Sequence, residues 1–104
     1  MKKIYNKLIR DNLIEKMENK GLKVEYHILE EDEYDKELDK KLKEEVNEYI
    51  EDYSIEEMAD VMEVIYTIME HRNIKMEDLE KARIEKRNRN GGFSKKIFLE
   101  SVDE

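Results

Sequence analysis

From Leu38 to Tyr53, apolar residues return mostly at intervals of three and four: Leu38, Leu42, Val46, Tyr49, Ile50 and Tyr53. At about 100° per residue they cover one arc of a wheel, which predicts an α-helix from about Tyr34 to Asp52. The same period joins Met58, Val61, Met62, Val64, Ile65, Ile68 and Met69. It predicts a second helix, running to about His71, whose broad apolar face makes it the most buried of the chain. Ser54 suits the N-cap of that helix, and Glu57, three residues on, completes a capping box. A shorter helix is expected from Asp11 or Asn12 to about Lys20, carrying Leu13, Ile14 and Met17 and stopped by Gly21. A further one, poorer in apolar residues, is expected from Met76 to Arg89, ended by Asn90-Gly91-Gly92.

Two segments follow a different period. Val24, Tyr26 and Ile28 alternate with polar residues, and Phe93, Ile97 and Leu99 do so in part. Each predicts a strand, and the two are expected to pair. The acidic run from Glu30 to Glu33 reads as a loop. The expected fold is therefore all-α: a helical hairpin or bundle in one domain, 1–104. A small two-stranded β element, from residues near 23–29 and 93–100, completes it.

Composition supports helices and narrows the chemistry. Of the 104 residues 46% are charged and none is proline, while the interleaving of charged with apolar positions argues against disorder. Without cysteine there is neither a disulfide framework nor a thiolate metal site. No secretory leader and no apolar run of spanning length is found, so a cytoplasmic protein is expected. The net charge of −8 is segregated: Glu30 to Asp60 holds 15 acidic residues against 4 basic, and Lys81 to Lys96 holds 7 basic against Glu85 alone. An acidic centre repels an anion unless cations intervene, whereas the basic end attracts one. Two solvated faces of opposite sign would have the same composition.

Within the acidic centre, Glu44-Glu45-x-x-Glu48 and Glu57-x-x-Asp60 place carboxylates three residues apart, one above the other on each helix. Their angular position says more than their spacing, which also recurs at Glu15/Glu18, Glu30/Glu33 and Glu77/Glu80. Glu45 follows Leu38 and Leu42 at the margin of the apolar arc, and Glu57 falls between Val64 and Ile68 on its own wheel. A carboxylate turned toward a core carries a desolvation cost that a cation offsets. If the helices pack as a hairpin, four carboxylates converge on a site able to hold magnesium and present it to a phosphate.

The arrangement resembles a known family, the all-α nucleotide pyrophosphohydrolases of MazG-like and phosphoribosyl-ATP pyrophosphohydrolase-like type. Similar blocks are Tyr5-Asn6-Lys7-Leu8-Ile9-Arg10-Asp11, Lys41-Leu42-x-Glu44-Glu45, Glu57-Met58-Ala59-Asp60-Val61-Met62-Glu63-Val64-Ile65, and Lys86-Arg87-x-x-x-Gly91-Gly92-Phe93. The resemblance implies a single MazG-like helical domain in which Glu45, Glu48, Glu57 and Asp60 ligate Mg2+, two ions per site, with Mn2+ as a substitute. It also implies an oligomer, a homodimer or a dimer of dimers. The implied reaction is hydrolysis of a nucleoside triphosphate between the α and β phosphates, giving a monophosphate and pyrophosphate. Only eight residues separate Glu48 from Glu57, a compact hairpin that leaves little room for a bulky base. Glu44 or Glu48 is the candidate proton acceptor. Arg83, Lys86, Arg87, Lys95 and Lys96 are candidate phosphate contacts, although basic residues also suit a helix C-terminus on their own. Lys7 and Arg10 belong to the family-like opening, and the residues alone give them no role.

Two other readings stand beside this one. Phosphoribosyl-ATP in histidine biosynthesis keeps the chemistry and changes the substrate. A non-catalytic helical interaction protein treats the acids as a solvated face. A nucleic-acid module is disfavoured by the acidic middle and the scarcity of aromatic residues in the basic segment.

Overall fold

The computed structural model describes residues 1–103 and consists of four helices. These are α1 (Leu13–Asn19), α2 (Glu31–Asp52), α3 (Ile55–His71) and α4 (Met76–Asn90). The chain is all-α, as its periodicity predicts. No helix among the described residues is long and apolar enough to cross a membrane.

The centre of the molecule is the antiparallel hairpin of α2 and α3. Its connection is only two residues long. Tyr53 takes a left-handed conformation (φ 55°) and closes α2 by donating its N–H to Tyr49 O at 2.6 Å. Ser54 is extended and caps α3, its Oγ accepting from Glu57 N at 3.1 Å. A side-chain cap of this kind contributes about 1 kcal/mol. Leu38 from α2 and Val64 and Met69 from α3 form the buried core, with Leu38 only 2% exposed. Gly21 and Gly91, both at φ 82°, end α1 and α4 in a conformation that favours glycine.

Two expectations need correction. The described residues contain no strand: 23–29 and 93–100 are unpaired, and Phe93 and Ile97 are almost fully exposed. Alternation over a few residues supplies a face but no partner, and backbone groups without a ladder remain solvated. The run Glu31–Glu33 is not a loop but the first turn of α2, where acidic side chains complement the helix dipole. His71 closes α3. It is half-buried, edge-on to Tyr34 at 4.9 Å, and its ring nitrogens lie 3.6 and 3.5 Å from Glu31 and Asp35.

Candidate metal centre

The two-residue connection fixes how far each acid stands from the hairpin turn. Glu45 lies about two helical turns before the end of α2, and Glu57 and Asp60 occupy the first two turns of α3. The antiparallel fold brings them together, so that one carboxylate oxygen from each of Glu45, Glu57 and Asp60 lies within 4.8 Å of the others. Glu45 is buried, 7% exposed, and its Oε2 has no hydrogen-bond partner. Glu57 Oε2 is likewise buried and unpartnered. Only half of the expected capping box forms among the described residues: Glu57 donates its backbone N–H to Ser54 Oγ, and its carboxyl joins the cluster instead.

The electrostatics follow from that burial. Desolvation pushes the Glu45 carboxyl above its ordinary value; Lys41 opposes this and the neighbouring Glu48 adds to it. Desolvation also raises Glu57, with the charges of Asp60, Glu45 and Asp52 acting in the same direction and Glu48 against. Burial pushes Glu44 up as well, but the Lys41 and Lys7 ammonium groups outweigh it and hold that carboxyl below the usual range. Burial lowers Lys41, and its contacts with Glu44 and Glu45 outweigh this and raise it.

The four expected ligands are therefore not equivalent. Glu45, Glu57 and Asp60 form the tight group, whereas Glu48 is exposed and stands beside Glu45 and Glu57. Both oxygens of Glu44 are occupied, Oε1 by Lys7 at 2.9 Å and Oε2 by Lys41 at 2.8 Å. Lys41 also reaches Glu45 Oε1 at 3.2 Å. Arg10 holds Asp60 Oδ1 at 2.7 Å. A cavity of about 160 Å³ opens against this group, lined by Lys7, Ile9, Arg10, Leu13, Lys41, Glu45 and Asp60.

The expected phosphate contacts lie elsewhere. Arg83, Lys86, Arg87, Lys95 and Lys96 are exposed, and none lines the cavity. Arg83 instead grips Glu80 of its own helix at 2.8 and 3.0 Å. The basic groups that do face the acids are Lys7, Arg10 and Lys41. Lys41 was legible as the residue three and four positions before Glu44 and Glu45. Lys7 and Arg10 reach the cluster across 37 and 50 residues of sequence, a separation that periodicity does not span.

Three oxygen donors of net negative charge, two of them with a desolvated and unsatisfied oxygen, suit a hard divalent cation. Comparison of the chain with family models, curated proteins and solved structures gave no match. What stands is an all-α chain with a carboxylate cluster that could bind a metal, the metal's identity being open.

Proposed function

We propose that this chain is a magnesium-dependent nucleoside triphosphate pyrophosphohydrolase of MazG-like type, acting on the cytoplasmic nucleotide pool. The observation that supports this most is the pair of buried, unpartnered carboxylate oxygens on Glu45 and Glu57. Leaving such atoms unsatisfied is unfavourable, and a function that needs them for a ligand explains why the fold keeps them. Glu45, Glu57 and Asp60 would hold Mg2+, Glu48 would complete the set if a second ion binds, and Mn2+ would substitute.

Bound there, the cation would neutralise phosphate charge and acidify water. The remaining work falls to the chain. Water attacks the α-phosphorus, the bond to the α–β bridging oxygen breaks, and the products are a nucleoside monophosphate and pyrophosphate. The proton of the attacking water needs an acceptor at the edge of the cluster. Glu48 fits because it is exposed, adjoins Glu45 and Glu57, and has no ion pair among the described residues, whereas both oxygens of Glu44 are bonded to lysines. Glu44 then acts by positioning Lys7 and Lys41.

The competing reading, a non-catalytic helical interaction protein, has its own support in the ion pairs from Lys7, Arg10 and Lys41 that partly neutralise the acids. Those pairs do not reach the two orphaned oxygens. The test is a pyrophosphate-release screen with Mg2+ over common and modified nucleoside triphosphates, with phosphoribosyl-ATP included. Release from at least one of them, reduced roughly 100-fold or more in both Glu45→Gln and Asp60→Asn, is the expected outcome. Undiminished release by either variant would refute the assignment.

We further propose that the working form is a homodimer or a dimer of dimers. Ile55, Met58, Met62 and Tyr66 make an exposed stripe along α3, with Met58 50% exposed. Val46, Ile50 and Tyr53 make a second one on α2. A second copy of the hairpin supplies the missing half of the core.

A further inference from the structure

We infer that Arg10 binds the substrate's phosphate chain, reaching it by giving up Asp60 when that carboxylate takes a cation; this rests on the metal-dependent reading above. Three observations support the exchange. The Arg10–Asp60 pair is short at 2.7 Å yet open to solvent, its side chains 56% and 37% exposed. Such pairs contribute little net stability and are readily broken. The backbone at Arg10 is meanwhile anchored. Its carbonyl accepts from Leu13 N at 3.2 Å at the start of α1, and the preceding Leu8 and Ile9 are half-buried. The guanidinium can turn while its root stays fixed. Finally, the cavity of about 160 Å³ is lined by Arg10, Lys7 and Lys41 together with Glu45 and Asp60. An anion there would meet three cationic side chains beside the candidate metal ligands.

Of the three, only Arg10 is both largely exposed and paired with Asp60, a candidate metal ligand. Lys41 is 15% exposed and fixed between Glu44 and Glu45, and Lys7 holds Glu44, which lies outside the tight group. The planar guanidinium also suits phosphate, to which it can donate two parallel hydrogen bonds. Arg10 is thus a placeholder in the ligand-free protein and a phosphate contact in the loaded one.

These two roles give opposite signs for two ligands in one variant. Mn2+ binding is read from the free-ion paramagnetic resonance signal, and magnesium tripolyphosphate binding by calorimetry, for the full chain, Arg10→Gln, Arg10→Lys and Asp60→Asn. Arg10→Gln is expected to bind Mn2+ about two- to fivefold tighter, because a competing charge is gone. It is expected to bind magnesium tripolyphosphate at least about tenfold more weakly, because a charge-assisted contact is gone. Arg10→Lys, which keeps the charge and loses the fork, falls between. Unchanged tripolyphosphate binding in Arg10→Gln would overturn the inference. So would parallel weakening of both ligands, which would mark Arg10 as a brace for the fold. Absence of Mn2+ binding by the unaltered chain, with Asp60→Asn indistinguishable from it, would instead remove the metal-dependent reading and the exchange with it.

Discussion

At Glu45 burial and charge conflict, and the conflict can be measured. Its carboxyl and that of Glu57 sit above their ordinary values because desolvation disfavours the ionised form. A raised folded-state value means a stability contribution that is complete below the unfolded value, about 4.3 for glutamate, and is lost as pH rises through the folded one. Glu44, held low by its lysines, acts oppositely: its contribution is present above the unfolded value and is lost as pH falls. Without divalent metal, Glu45→Gln should therefore be about 1 kcal/mol more stable than the natural chain at neutral pH. The advantage should vanish below about pH 4. Magnesium should raise the melting temperature of the natural chain and leave the variant unmoved. Calorimetric melting at several pH values checks this, and a variant less stable than the natural chain at neutral pH without magnesium would contradict it. The inward direction of Glu45 and Glu57 was legible on a helical wheel, because burial follows angle. The partners of Asp60 and Glu44 were not, because Lys7 and Arg10 arrive from an irregular N-terminal segment whose path no period encodes.

The hairpin is the element that turns local spacing into a site. Its second half was readable in the sequence, since a serine three residues before a glutamate at the head of an apolar run specifies a helix start, and Ser54 accepts the Glu57 N–H as expected. The turn itself was not. Tyr53 adopts a left-handed conformation that sequence rules assign to glycine or asparagine, and the packing of α2 on α3 selects it. The same competition explains the beginning of α2. Consecutive acids at Glu31 to Glu33 resemble a loop in composition, yet at a helix N-terminus their charge is favourable. The apolar arc of α2 is buried unevenly. Leu38 is buried and Leu42 half-buried against α3, whereas Val46 is 36% and Ile50 52% exposed on the part of the arc that one chain leaves open. Alternation near Val24 and Phe93 failed as a strand signal because neither segment has a neighbour to pair with.

At the scale of the whole molecule, one copy is unusually open. Its accessible surface of 10132 Å² exceeds by more than half the roughly 6,200 Å² expected of a compact monomer of this mass. Its radius of gyration is 18.7 Å, where about 13 Å is usual for this length. Among the described residues only three apolar side chains are buried, and they belong to α2 and α3. Sedimentation at micromolar concentration should therefore show a dimer or tetramer, and Met62→Glu, which charges the α3 stripe, should shift it toward monomer; a natural chain that sediments strictly as monomer would contradict this. The central claim is that Glu45, Glu57 and Asp60 share a divalent cation, and anomalous diffraction from crystals grown with Mn2+ tests it most directly. The expected map places manganese within about 2.0–2.4 Å of an oxygen from each of the three, with Arg10 turned away from Asp60. Manganese bound elsewhere, or density showing Glu45 and Asp60 still paired with Lys41 and Arg10 at saturating metal, would contradict it.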